Sequence, residues 1–409
     1  MPGDKSVSHR ALMLAAIARG TTVIWGLNGG DDVWCTRAAM QALGVPIEDC
    51  CEELKLTGIS QLAQPSFIDC GNSATTMRLL MGLLAGRVST VLDGDESLRL
   101  RPMERVAQPL RAMGAGIETS AAGTAPVKLR ASRLPLRGID FAMPVASAQL
   151  KSALLLAGQR AKGPTRIFAS LSGRDHSERM LRRMGAEVSV QRGSITIQPG
   201  ALRSAGRLRI PGDFSAAAFF IAGAAVRPGN RLSLLDVGIN PTRTAALQVM
   251  RDMGADVSLS NERDWDGEPV ADINVRGGAP LRGVDIDPQI VPNLIDEIPA
   301  LCALAAAAEG TLTVRGAAEL RAKESDRIAA LTRLLRAFGA HAEDIGDGIA
   351  VRGGSLRAST PLAGITDHRI VMSAAVLAAA AGAPAQVPSA ACVATSFPGF
   401  EAAWKRAFC

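Results

Sequence analysis

"MPGDKSVSHRALMLAAIARG" (residues 1–20) and "IPGDFSAAAFFIAGAAVRPG" (residues 210–229) share one frame: Pro-Gly-Asp, one residue, Ser, an apolar segment, then Gly. Asp or Ser ahead of an apolar run supplies a helix N-cap, so each stretch predicts a capped, buried helix. The copies differ in charge. The first carries Lys5, Ser6 and Arg10 where the second carries Phe214, Ser215 and Phe219. A helix start needs a cap, not a lysine and an arginine inside an apolar segment. The shared frame points to structure, and the added cations point to a ligand.

Outward from these copies, six segments repeat one grammar: a polar start, an apolar small-residue helix, a Gly-containing turn and a β-branched strand. Besides the two above they begin at Asn72 ("NSATTMRLLMGLLAG"), Ser147 ("SAQLKSALLLAG"), Asp296 ("DEIPALCALAAAAEG") and Asp367 ("DHRIVMSAAVLAAAAG"). Between them lie second helices ending in "ALGV", "AMGA", "RMGA", "DMGA" and "AFGA", each followed by a short alternating strand. The glycine reads as a helix C-cap before the turn into that strand. The unit is strand–helix–strand–helix–strand–strand. Three units fall before about residue 210 and three after, which predicts two similar domains, 1–208 and 209–409. Helices apolar on nearly every face must be enclosed, so the economical packing puts helices inside and sheets outside. Six copies of one grammar weigh against an ordinary doubly wound α/β protein.

Composition narrows the partners. The 409 residues are 47% hydrophobic and 21% charged, with net charge +6 and 3% aromatics. Dense basic runs and base-stacking aromatics are both missing, which argues against nucleic acid. The apolar runs, including residues 370–383, stop short of the ~20 residues a membrane span requires. No cationic n-region precedes an apolar h-region, so no signal peptide is expected. Seven cysteines, among them Cys409, form an odd set without CxxC spacing or nearby His, which predicts reduced cytosolic thiols and no zinc site.

The helix starts carry the chemistry. Free N–H groups and positive dipole ends make a helix N-terminus an anion site without metal. The side chains there are Lys5, Ser6 and Arg10; Asn72, Thr75 and Arg78; Ser147, Gln149 and Lys151; Asp213 and Ser215; Asp296 and Glu297; and Asp367, His368 and Arg369. "LRLRPMERV" (98–106) predicts Arg99 and Arg101 in an extended or turn segment before Pro102. "RAKESDRIAAL" (321–331) predicts Lys323 and Arg327 at i and i+4 on one helical face beside Glu324.

With "PGDKSVSHRA", "GNSATTMRLL", "LRLRPM", "VASAQLKSALLLAG", "GRDHSERML", "IDEIPAL", "LRAKESDRI", "DHRIVMS" and "ATSFPGF" in order along its length, the chain resembles the 5-enolpyruvylshikimate-3-phosphate (EPSP) synthase family. The resemblance implies an α/β fold: two inside-out domains (an inverse α/β barrel), each of three βαβαββ repeats. It implies transfer of the enolpyruvyl (carboxyvinyl) group of phosphoenolpyruvate to the 5-hydroxyl of shikimate 3-phosphate, with release of phosphate. That step lies in the shikimate pathway to chorismate and the aromatic amino acids. No redox step occurs, so no nucleotide or metal cofactor is implied. A cytoplasmic monomer acting on small molecules is expected.

By the same resemblance, Lys5, Ser6, Arg10, Ser147, Ala148, Gln149, Arg174, Asp296, Glu319 and Lys323 bind shikimate 3-phosphate. Lys5, Ala74, Gln149, Arg101, Arg327 and Arg369 bind phosphoenolpyruvate. Asp296 is the base for the hydroxyl, and Glu324 is the acid for the methylene carbon, with Lys5 a second candidate. The site residues divide between the two halves of the chain, which predicts a hinge near 205–212 and closure on substrate. The chain departs from the family at three places. The sequence starts at Met1-Pro2 where family members usually carry a strand-length segment before PGDKS, Thr395 stands where many relatives have lysine, and Glu319 stands where many have asparagine. Ala74 and Leu79 stand where glyphosate-sensitive relatives have glycine and proline, so in this segment the chain resembles the insensitive class. Two rivals remain. One is the related transferase acting on UDP-N-acetylglucosamine, whose loop cysteine is missing from residues 93–106. The other is a non-catalytic anion-binding relative.

Overall fold

The computed structural model describes residues 1–168, 173–191, 193–357, 359, 365–382 and 390–408. The chain divides into two compact units: Gly3–Pro211 with Trp265–Glu268, and Met1–Pro2 with Gly212–Asp264 and Pro269–Cys409. Each has its own apolar core, running from Val7 to Ile210 in the first and from Phe214 to Phe408 in the second.

Both PGD copies form the expected caps. Asp4 accepts from Val7 N at 2.9 Å and opens helix Lys5–Ile17, and Asp213 accepts from Ala216 N at 3.2 Å and opens helix Phe214–Ala225. Their backbones exchange partners: Asp4 N donates to Pro211 O at 2.7 Å, and Asp213 N to Pro2 O at 2.8 Å. Ser73, Ser147, Asp326 and Asp367 cap helices Ala74–Leu84, Ala148–Gly158, Arg327–Ala337 and His368–Ala380 in the same way. Every residue of helix Phe214–Ala225 is buried, so its copy of the frame is core throughout.

The stereotyped glycines end the second helices. Gly44, Gly114, Gly185, Gly254 and Gly339 all have φ between 85° and 99°. Left-handed φ is open to glycine at no steric penalty, and it turns the next N–H back onto the helix. Thus Val45, Ala115, Ala186, Ala255 and Ala340 donate to the carbonyls of Met40, Leu110, Leu181, Met250 and Leu335. In four of these repeats an arginine on the last turn clasps the strand that follows: Arg111, Arg182, Arg251 and Arg336 donate Nε–H to the carbonyls of Ile117, Val188, Val257 and Ala342.

The strands form sheets over the buried helices. In the second repeat Phe67–Asp69 runs parallel to Thr90–Asp93, which pairs antiparallel with Val127–Arg130, itself paired with Gly116–Glu118. The third repeat builds the same four-stranded order from Asp140–Ala142, Thr165–Phe168, Ser194–Ile197 and Val188–Gln191. The first repeat takes its parallel edge strand from the far end of the unit, where Arg207–Arg209 pairs with Val23–Trp25. In the second unit Arg231–Gly238, Glu268–Arg276 and Asp256–Trp265 form a three-stranded sheet, and the next repeat is again four-stranded. The strand expected after helix His368–Ala380 falls on residues 383–389, outside the described residues, as does Cys409. No helix among the described residues is long and apolar enough to cross a membrane.

Two local expectations are corrected. Lys323 and Arg327 do not share a helical face. Residues Ala318–Ala322 form a 3-10 turn, Lys323 is extended, and Asp326 starts a new helix at Arg327. The capping preference of Asp326 and the fresh start it permits override the i, i+4 spacing. Arg99 is not extended either but closes a one-turn helix, Glu96–Arg99, capped by Asp95, leaving Arg101 in the turn before Pro102.

Candidate active site

In the first unit the polar helix starts are organised around two cations, the half-buried Lys5 and the buried Arg10. Lys5 Nζ lies 2.8 Å from Asp32 Oδ2, on helix Asp31–Ala42. Arg10, 3% exposed, donates Nε–H to Ser177 Oγ at 2.7 Å, one NH1 hydrogen to Ser6 O at 2.8 Å and one NH2 hydrogen to Ser152 Oγ at 2.7 Å. Burial, then the neighbouring Arg174 cation, pulls Arg10 down to about 10. Arg174 donates to Ser6 Oγ at 3.3 Å. Lys151 and Glu178 pair at 2.6 Å, both buried, and His176 Nδ1 meets Glu268 Oε1 at 2.8 Å.

Gln149 bridges two helix starts. Its carbonyl accepts from Arg78 at 2.5 Å, and its amide donates to Thr75 Oγ1 at 2.8 Å. Arg78 also donates to Pro102 O at 2.8 Å, tying in the arginine turn. Arg101, 6% exposed, donates to Asn72 Oδ1 at 2.6 Å. Ser147 caps its helix through Leu150 N, and Ala148 and Ala74 are the first residues of theirs, Ala74 being buried.

In the second unit one arginine gathers three carboxylates. Arg327, 1% exposed, donates to Asp367 Oδ2 at 2.8 Å and to Asp296 Oδ1 at 3.3 Å, and pairs with Glu324. Lys323 Nζ is 3.4 Å from Asp296 Oδ1, and Arg369 donates to the Asp296 backbone carbonyl at 2.7 Å. Burial works against the Arg327 charge, but Asp367, Glu324 and Asp296 outweigh it and raise its affinity for the proton. Asp367 answers in kind: burial opposes its ionisation, yet Arg327 holds it below the usual carboxylate range. Glu319 is half-buried in the 3-10 turn, and Thr395 ends another, donating to Cys392 O at 2.8 Å.

Sequence reading had not picked out Asp32, Ser152, Ser177, Glu178 or Glu268. These lie 27 to 167 residues from the partners they serve where a bond links them to Lys5 or Arg10, so no local spacing marks them. The one sequence signal was a buried cation, since a charge enclosed in a core needs a partner.

The fully buried His9 lies among these cations. Burial, then Lys5 and Arg10, holds its imidazole well below its ordinary value of 6.5. A histidine depressed on folding binds fewer protons folded than unfolded. Stability is therefore lost as pH falls from 6.5 toward the lower folded value, at about 1.4 kcal/mol per pH unit. Thermal midpoints measured from pH 7 to pH 5 should fall more steeply in the parent than in His9→Asn; parallel curves would show that His9 titrates normally.

The comparisons with known proteins cover this whole arrangement. The model of the family described as EPSP synthase (3-phosphoshikimate 1-carboxyvinyltransferase) matches residues 1–404. A 3-phosphoshikimate 1-carboxyvinyltransferase of Syntrophotalea carbinolica is 47% identical over 98% of this chain and 94% of its own length. One of Methylococcus capsulatus is 48% identical over 98% of this chain and 92% of its own. A solved EPSP synthase structure from Acinetobacter baumannii superposes with TM-score 0.84 at 42% identity, covering 100% of this chain and 94% of that one.

Proposed function

The chain belongs to the EPSP synthase family, and we propose that it performs the family's carboxyvinyl transfer with the two sets of residues just described. The acceptor is shikimate 3-phosphate, the donor phosphoenolpyruvate, and phosphate leaves. The observation that carries this reading is the cluster at Arg327. Two carboxylates, Asp296 and Glu324, are fixed beside Lys323, Arg327 and Arg369, so proton-transfer groups and anion-binding groups occupy one place.

The chemistry follows from those groups. Arg327, Arg369 and Arg101, with Lys5, Gln149 and the Ala74 turn, receive the carboxylate and phosphate of phosphoenolpyruvate; arginine suits both by bidentate bonding. Lys5, Ser6, Arg10, Arg174 and Lys323, with Ser147, Ala148, Gln149 and Glu319, receive shikimate 3-phosphate. Arg10 has two of its five N–H groups left for a phosphate oxygen after Ser177, Ser6 and Ser152. The acceptor oxygen bonds to C2 of phosphoenolpyruvate as its proton passes to Asp296. The methylene carbon takes a proton from Glu324, with Lys5 as the other candidate donor. The C2–O bond to phosphate then breaks, phosphate leaves, and loss of a proton from the new methyl restores the double bond. Free thiols at Cys35, Cys50, Cys51, Cys70, Cys302 and Cys392 fit a reducing, cytoplasmic setting, and a monomer completes the reading.

Phosphate release from phosphoenolpyruvate tests it. Release that depends on shikimate 3-phosphate is expected. Dependence on UDP-N-acetylglucosamine would move the chain to the related transferase, and no release with either acceptor would leave an anion-binding protein.

We further place the chain with the glyphosate-insensitive members. Ala74 is the first residue of its helix and 5% exposed, so its methyl stands in a packed setting. Glyphosate is longer than phosphoenolpyruvate and meets that methyl first. Overpacking of this kind costs about 1–3 kcal/mol, or about 5- to 150-fold in affinity. Ala74→Gly is expected to lower the glyphosate inhibition constant at least about tenfold, with a smaller change in KM for phosphoenolpyruvate. If Ala74 only favours its helix over glycine, the variant loses about 1 kcal/mol of stability while the inhibition constant stays put.

A further inference from the structure

The two PGD copies differ at one more position. Where the second has the buried Ala218, the first has His9, 0% exposed. The frame packs with a methyl there, so the imidazole is an addition of the first copy, as Lys5 and Arg10 are. Its Nδ1 lies 2.7 Å from Thr36 Oγ1, on helix Asp31–Ala42. Thr36 Oγ1 lies 2.6 Å from Thr76 Oγ1, on helix Ala74–Leu84. Thr76 Oγ1 in turn reaches the Asp32 backbone carbonyl at 3.2 Å and the capping Ser73 Oγ at 2.8 Å. Thr36 and Thr76 are both 0% exposed.

One direction links the hydroxyls and the His9 Nδ1–H in sequence, with His9 Nε2 left buried and without a hydrogen-bond partner among the described residues. If the one Thr76 hydroxyl proton goes to the Asp32 carbonyl, which only accepts, Thr76 accepts from Ser73 Oγ–H and from Thr36, and Thr36 accepts from His9 Nδ1–H. Linked donors polarise one another and strengthen in a low-dielectric interior. Three helices are thereby held at one point. The far end holds the residue whose carboxylate takes Lys5, and its branch holds the cap of the helix that Ala74 begins.

We propose that His9, Thr36 and Thr76 are positioning residues for phosphoenolpyruvate: a one-way buried hydrogen-bond chain sets the Lys5–Asp32 pair and the Ala74 turn in register with each other. This rests on the reading that Lys5 and Ala74 serve phosphoenolpyruvate. The hydroxyls touch no substrate and act through those two residues.

Thr76→Val keeps the side-chain shape and removes the hydroxyl in the middle of the chain; Thr36→Val breaks it one bond earlier. Steady-state kinetics should show KM for phosphoenolpyruvate raised about 3- to 10-fold in either, the effect of one buried hydrogen bond. The turnover number per folded enzyme should stay within about twofold, KM for shikimate 3-phosphate, which Lys5 also serves, should rise less than that for phosphoenolpyruvate, and Thr76→Ser should restore parent values. A purely structural hydroxyl would lower the thermal midpoint and leave both KM values alone, which overturns the proposal, as does an equal rise in both. Lys5→Ala separates this from failure of the underlying reading. If it shifts KM for phosphoenolpyruvate and the threonine variants do not, the positioning chain alone is wrong; if it does not, the reading is.

Discussion

Arg327→Met is expected to destabilise the second unit by about 3–5 kcal/mol, the penalty for stranding buried charge by removing one partner. Asp367 is 1% exposed and takes two bonds from Arg327, at 2.8 and 3.4 Å, while Asp296 and Glu324 share the same guanidinium. A thermal midpoint lower by about 6–20 °C follows for a unit of this size. Arg327→Lys should recover only part, because one ammonium cannot reproduce a planar fork serving three carboxylates. The pH dependence has a definite sign. In the parent, Asp367 is held below its ordinary 3.8, so its contribution is present above that value and lost as pH falls through the lower folded one. In Arg327→Met, burial acts on Asp367 without its cation, so the folded state binds the extra proton. The deficit is therefore largest near neutrality and shrinks toward pH 4. A pH-independent deficit, or an unchanged midpoint, would mean the carboxylates find other partners.

Asp296→Asn is expected to lower turnover on the order of 10²- to 10⁴-fold while leaving substrate binding nearly intact. The amide cannot take a hydroxyl proton but keeps an oxygen for Lys323 and Arg327, which stand 3.4 and 3.3 Å from the carboxylate. Arg369 holds the backbone carbonyl of Asp296, so its position does not depend on the side chain. Single-turnover phosphate release, with KM for each substrate, separates the roles. Loss confined to the chemical step identifies the base. Turnover near the parent rate would make Asp296 a binding residue only.

These expectations draw on two kinds of information that the chain carries differently. The repeat, the caps and the turn glycines were legible from residues alone because their causes are local. A cap bonds three residues ahead, as Asp4 does with Val7 N, and a left-handed glycine serves the turn it sits in. Apolar residues on every face of a helix such as Phe214–Ala225 likewise state their own burial. The KESDR segment marks where local reasoning fails. Two features competed there, i, i+4 charge spacing and an N-capping aspartate, and only folding showed the cap winning and Lys323 extended.

The rest was decided by tertiary structure. Lys5 names no partner in the sequence, and Asp32 becomes one because two helices pack. Arg10 finds Ser177 at a separation of 167 residues, and the first repeat's edge strand arrives from Arg207–Arg209. Such pairings leave no period to read, since chain distance and spatial distance are unrelated once helices from different repeats share a core. What the residues alone could supply was the demand, cations inside an apolar frame; which carboxylate, hydroxyl or carbonyl meets it depends on which helix packs beside them, because a buried charge is satisfied by whatever polar group the fold brings within hydrogen-bond reach.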